Sequence, residues 1–223
     1  MAMKLGILVS GRGSNLEAVL DAVAAGELAG VEPVLVVSNR PGVRALEVAA
    51  RHGVPARAMP LGAFGGDAEA RDAAIGVALV EARVELALLA GYDRVLRSSY
   101  FAAFTGRTIN IHPSLLPLHG GPGMLGESVH AAVLAAGERE TGATIHEVTQ
   151  DLDAGPILAQ ERVVVDPGDD TTRLAARVLE VEHRLLVSTL GRLAGVGVPG
   201  MRSATMTAAV RERRQTTTGD AQD

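Results

Sequence analysis

Asn110-Ile111-His112-Pro113-Ser114-Leu115-Leu116-Pro117 is the stretch around which the rest of the chain is organised. Residues 107–112, which lead into it, lean apolar and read as a buried strand, and Pro113 stops that strand by withdrawing a ladder N–H. Side chains alternate along a strand, so Asn110 and His112 share one face while Ile109 and Ile111 point to the other. A carboxamide and an imidazole side by side at a strand end can donate to a developing oxyanion and move a proton. The same pair is also open to a plainer reading, as buried polar residues satisfied by the backbone.

Upstream, residues 4–10 form a short apolar run of the kind a buried parallel strand needs, followed by Gly11-Arg12-Gly13-Ser14-Asn15 and a helical pattern over 16–25. Strand, glycine turn and helix N-terminus make an anion site from free N–H groups and the positive end of the helix dipole. Ser14 and Asn15 add side-chain donors or cap the helix. The alternative is a tight turn that uses glycine for its dihedrals alone. A dinucleotide site is disfavoured, because Leu16 stands where the third fingerprint glycine belongs. The second strand, 34–37, ends in Ser38-Asn39-Arg40 with no acidic residue to hold a ribose diol. A single phosphate suits the loop better.

Helix 44–52 closed by Gly53, strand 56–59, helix 67–82 and strand 85–90 continue the alternation up to Gly91-Tyr92-Asp93-Arg94. The pattern predicts one α/β domain built on a Rossmann-like, doubly wound, mostly parallel sheet. Ligands in such sheets lie at the carboxyl ends of strands, where residues 10–15, 91–94 and 110–113 would meet. The glycine-rich loop 119–126 reads either as a lid or as a plain connection. Helix 127–136 leads to strand 143–148, with Thr144, His146 and Val148 on one face. A polar turn at 151–156, a strand over 157–165 and a long helix from Asp170 or Thr171 to about Leu193 complete the domain, and the later strands are open to antiparallel pairing. The expected boundaries are a domain over 1–195 and an extension over 196–223, its end disordered from Arg211.

Composition removes several chemistries. The chain has 223 residues, enough for one large domain, and its hydrophobic content of 47% argues against disorder. A net charge of −5 gives no basic footprint for nucleic acid. No cysteine is present, which excludes thiolate catalysis, and the single lysine, Lys4, leaves no Schiff-base or Walker-type lysine. His52, His130 and His183 fall on helical stretches and read as surface or satisfied residues; without an H-E-x-x-H arrangement no metal site is expected. With no membrane-length apolar run and no signal-peptide pattern, a cytoplasmic location is expected.

Taken in order, Ser10-Gly11-Arg12-Gly13-Ser14-Asn15-Leu16, the Asn110–Pro117 stretch and Asp151-Leu152-Asp153-Ala154-Gly155-Pro156-Ile157 resemble the folate-dependent phosphoribosylglycinamide formyltransferases. The likeness runs over residues 4–193 and includes Leu89-Ala90-Gly91-Tyr92 and Glu182-His183. The Asn-x-His-Pro-Ser-Leu-Leu-Pro motif is specific for the formyltransferase fold, though shared with methionyl-tRNA formyltransferase and formyltetrahydrofolate deformylase. The glycine-Ser-Asn loop is what points to a phosphorylated small substrate.

The resemblance implies an enzyme of de novo purine biosynthesis. The amine of glycinamide ribonucleotide would attack the formyl carbon of 10-formyltetrahydrofolate, the donor co-substrate, with no metal and no covalent intermediate. By matching position, Asn110 would bond the formyl oxygen, His112 would donate to the oxyanion or shuttle the proton, and Asp153 would hold the His112 ring. Gly11, Arg12, Gly13, Ser14 and Asn15 would hold the ribonucleotide phosphate, with Glu182 near the ribose or the glycine amine. Asp93, Arg94, Val95 and Leu96 would line the folate pocket together with Asn110. The implied partners are these two small molecules, without nucleic acid or membrane, for a monomer or homodimer.

Three positions depart from the family pattern. Asp93 stands where a methionine is common, Ala68 stands where an arginine is expected with Arg71 offset, and the Gly-Gly-Pro-Gly-Met loop is unusual. Two other functions stay open at this point, hydrolysis of the formyl donor and a catalytically silent phosphate-binding module.

Overall fold

Strands as uniformly apolar as residues 5–9 can be buried only if helices cover both faces of their sheet. The computed structural model, which describes residues 1–195, has this arrangement. Strands β1 (Met3–Val9), β2 (Val31–Ser38), β3 (Ala56–Ala58), β4 (Leu86–Leu89), β5 (Arg107–His112), β6 (Glu140–Glu147) and β7 (Ile157–Val164) form one sheet in the order β3-β2-β1-β4-β5-β6-β7. The first five run parallel, while β5–β6 and β6–β7 pair antiparallel. The predicted doubly wound α/β sheet is therefore present.

Helices α1 (Ser14–Ala24), α2 (Arg44–Arg51), α5 (Glu127–Ala135) and α6 (Thr171–Leu193) cover one face, and α3 (Ala68–Glu81) and α4 (Ser98–Ala103) the other. Alternate residues of a single strand feed the two cores. On β4, Leu86 and Leu88 pack beneath α1 and α6, while Ala87 and Leu89 pack against Ile75 and Leu79 of α3. Asp67 caps α3 through bonds from the N–H groups of Glu69 and Ala70, and Asp170 caps α6 through Arg173.

Some boundaries differ from expectation. β2 starts earlier, at Val31, and accommodates Pro33 by a register shift: Leu5 pairs with Pro33 and Gly6 with Leu35, skipping Val34. β6 likewise starts at Glu140, its early residues pairing with β7. The short helix α4 and a 3₁₀ turn at Leu61–Phe64 were not anticipated, being too brief to establish a period. The expected extension over 196–223 lies outside the described residues.

The chain steps outward in one direction from β1 to β2 to β3, then returns to place β4 on the other side of β1. That reversal is a topological switch point, and a crevice forms beyond the strand ends there.

Candidate active site

The three segments predicted to converge do so. A cleft of about 800 Å³, at the roomy end for small-molecule sites, opens above the carboxyl ends of β1, β4 and β5. Residues 11–15, 93–96, Asn110, His112, Asp153 and Glu182 all lie in its wall, so every residue proposed from the sequence lines one cavity.

The first wall is the glycine turn. Gly13, not Ser14 or Asn15, is the N-cap of α1; it carries φ 77° and supplies no side-chain cap. This corrects the expected capping role and leaves the first-turn N–H groups without a side-chain partner, as an anion site requires. Glycine is also demanded by space, since a Cβ at Gly13 would lie 2.8 Å from the Ala45 Cβ. Arg44 braces the turn by donating to the Arg12 carbonyl at 3.1 Å while its guanidinium pairs with Glu17.

Asn15 points inward and donates from Nδ2 to Glu182 Oε2 at 2.7 Å. Burial pushes the Glu182 carboxyl up to about 7, against an opposing pull from the Asn15 bond. The folded chain thus keeps a proton that the unfolded chain releases above pH 4.5. The associated stability is complete below that pH and is lost as the pH rises through about 7. Glu182→Gln keeps an acceptor for Asn15 but cannot ionise. Relative to wild type it should gain about 3 kcal/mol of stability between pH 5 and pH 8, read by urea denaturation. A pH-independent difference between the two proteins would contradict the buried-carboxyl account.

The second wall is the end of β5. His112 Nε2 lies 2.9 Å from the His119 carbonyl oxygen, which can only accept, so Nε2 carries the proton and Nδ1 is the basic atom of the neutral ring. Nδ1 lies 3.9 Å from Asp153 Oδ2. The loop between His112 and His119 is braced from β6 and β7. Thr144 Oγ1 donates to the Ser114 carbonyl at 2.6 Å and accepts from the Leu116 N–H at 3.1 Å, and Gln160 donates to the Leu116 carbonyl at 2.9 Å.

Asp153 occupies a left-handed backbone position, φ 54°, and its Oδ2 accepts from the Gly121 N–H at 2.8 Å. The 151–156 turn that carries it docks closely on β6: a Cβ at Gly155 would fall 1.9 Å from the Glu147 carbonyl oxygen, so only glycine allows the approach.

His146, which the sequence reading placed on a strand face but in no role, belongs to this centre. Its Nδ1 donates to the Glu147 carbonyl at 2.9 Å, leaving Nε2 to accept from Asn110 Nδ2 at 3.1 Å. Burial holds its imidazole below the ordinary range, which favours the neutral form that can accept. Asp153 Oδ1 lies 3.6 Å from the same Nε2. The carboxylate therefore stands between two imidazoles. Asn110 has its amide orientation fixed by His146 and retains a second N–H.

The third wall follows β4. Asp93 is partly exposed and paired within the protein: Asn39 donates to its Oδ1 at 2.7 Å and Arg40 pairs with its Oδ2. Arg71 turns away from the cleft. It is buried, with both Nε and an Nη bonded to Asp72, and does not take the place of the arginine absent at Ala68.

The remaining histidines divide. His130, expected to be surface or satisfied, is buried in the cleft wall with Nδ1 lacking a partner among the described residues. His52 follows α2 with Nε2 3.2 Å from Asp21, and His183 is half-buried. Burial lowers the affinity of both His130 and His183 for a proton. No helix among the described residues is long and apolar enough to cross a membrane.

Residues 3–190 match the formyl transferase family model. A phosphoribosylglycinamide formyltransferase of Mycobacterium tuberculosis is 42% identical over 205 residues, 91% of each chain. The trifunctional purine biosynthetic protein adenosine-3 of Gallus gallus is 40% identical over 88% of this chain, which spans only 19% of that protein's length. Among solved structures, glycinamide ribonucleotide transformylase 1 from Symbiobacterium toebii superposes with a TM-score of 0.81 at 37% identity, covering 87% of this chain and 88% of that one. With this fold, this strand-end centre and these relatives, the chain belongs to the formyl transferase family and, within it, to the phosphoribosylglycinamide formyltransferases.

Proposed function

We propose that the chain transfers the formyl group of 10-formyltetrahydrofolate to the glycine amine of 5′-phosphoribosylglycinamide in purine biosynthesis, in the cytoplasm. The observation that carries this reading is that the glycine turn and the Asn110–His112–Asp153 centre open into one cleft. A phosphorylated amine anchored at the first would have its amine within the second.

The residues divide the work as follows. Gly11–Asn15 hold the phosphate on the free N–H groups of α1, and Glu182, tied to Asn15, faces the sugar or amine. Asn110 uses the N–H not given to His146 to bond the formyl oxygen as it gains negative charge. His112, whose Nδ1 is the basic atom, accepts the proton that the attacking amine releases, and Asp153 stabilises the resulting imidazolium. The same proton then goes to the folate nitrogen as the bond to the formyl carbon breaks. One N–H is lost and one is gained, so no external acid, base or oxidant is needed. Residues 93–96 with Asn110 form the folate side of the cleft.

Purified protein should therefore consume 10-formyltetrahydrofolate, followed by absorbance, only when phosphoribosylglycinamide is present. Equal consumption without the acceptor would instead identify a hydrolase of the formyl donor.

A further inference from the structure

We infer that Asp93 is a positioning residue, an ion-pair clamp that fixes the cleft-lining loop 91–97 to the ends of β1 and β2. The inference rests on the proposed function only in naming folate as the ligand of that loop.

Both carboxylate oxygens of Asp93 are committed within the protein. Oδ1 accepts from Asn39 Nδ2 at 2.7 Å, and Oδ2 pairs with the Arg40 guanidinium. The Asp93 N–H donates to Ser10 Oγ at 2.9 Å, so the loop after β4 is tied by backbone and side chain to residues that follow β1 and β2. The anchor points are themselves fixed. Ser10 and Asn39 are buried, and the Ser38 hydroxyl donates to the Arg40 carbonyl at 2.7 Å and accepts its N–H at 3.1 Å. The far end of the loop is held separately, by the Arg97 N–H on Asp72 Oδ2 at 3.0 Å. Between these two anchors stand Arg94 and Val95, exposed and in the cleft wall.

With one partner on each oxygen, the Asp93 carboxylate ties its loop to the end of β2. The side chains of Arg40 and Asp93 are 49% and 26% exposed, and ion pairs as open as this contribute little to global stability. Breaking the clamp should therefore act locally, on the loop and on the ligand it shapes.

The test compares Asp93→Ala, Arg40→Met and the double variant with wild type, by steady-state kinetics and by hydrogen exchange. Both single variants should raise the KM for 10-formyltetrahydrofolate about fivefold to tenfold. Arg40→Met should leave kcat and the acceptor KM within about twofold. The double variant should be no worse than Asp93→Ala, since both remove one interaction. Amides of residues 92–96 should exchange about tenfold faster in each variant at an unchanged melting temperature.

A raised donor KM in Asp93→Ala with a normal one in Arg40→Met would mean that the Arg40 ion pair does not hold the loop, and would overturn the clamp. Unchanged exchange in the loop would overturn it as well. The exchange measurement needs no substrate, so it decides the clamp even if the wild-type chain transfers no formyl group.

Discussion

Replacing Asp153 by asparagine should lower kcat about 10²–10³-fold, within the range for removing a component of acid–base catalysis, and leave the fold intact. The substitution isolates charge. Asparagine tolerates the left-handed backbone at φ 54° and keeps an oxygen for the Gly121 N–H, so the turn has no new strain to relieve. What disappears is the negative charge 3.9 Å from His112 Nδ1 and 3.6 Å from His146 Nε2. In the proposed mechanism, the neutral side chain could no longer stabilise the imidazolium that His112 would become on taking the amine proton. Substrate KM values should change far less, because the charge is needed chiefly when His112 is protonated. A kcat within about fivefold of wild type would remove Asp153 from the mechanism as described.

The second large effect is on stability. Asp72→Ala should cost about 3–5 kcal/mol in urea denaturation, because it leaves the Arg71 guanidinium buried without its counter-charge. The side chains of Arg71 and Asp72 are 4% and 0% exposed, and two guanidinium nitrogens converge on one carboxylate oxygen at 2.7 and 2.9 Å. The other carboxylate oxygen holds the Arg97 N–H, so the change also loosens the loop leading to α4. The cause is the unpaired charge and not the loss of an attractive contact. Replacing both residues together by apolar ones should therefore recover much of the loss. A double variant as unstable as Asp72→Ala would show that the damage comes from the freed Arg97 N–H instead.

The sheet and its cleft were readable in the sequence because their causes are local. Apolar runs ending in Gly11, Gly91 and Pro113 mark strand ends, and the helical stretches between them force parallel pairing with the ends on one edge. His146 was missed for the opposite reason. Its role depends on β6 pairing antiparallel with β5 in the register that sets it opposite Asn110, a match across 36 residues that strand periodicity does not specify. Asp93 was visible as a departure, but its partners Asn39 and Arg40 come from the end of β2, more than 50 residues earlier. Nothing in the sequence around residue 93 names them. Arg71 stood out in the sequence only as offset from the position where an arginine is expected, and only the packing of α3 and α4 reveals it as a buried ion. His130 was misread because helical position alone does not say which face meets the cleft.

The most direct test of formyl transfer at the strand-end centre follows the fate of the formyl carbon. The protein is incubated with phosphoribosylglycinamide and 10-formyltetrahydrofolate labelled in the formyl group, and the label is assigned by NMR. The label should appear as an amide on the ribonucleotide, one for each tetrahydrofolate released, and His112→Ala should abolish the transfer. Label recovered as free formate, or amide formed at an undiminished rate by His112→Ala, would contradict it.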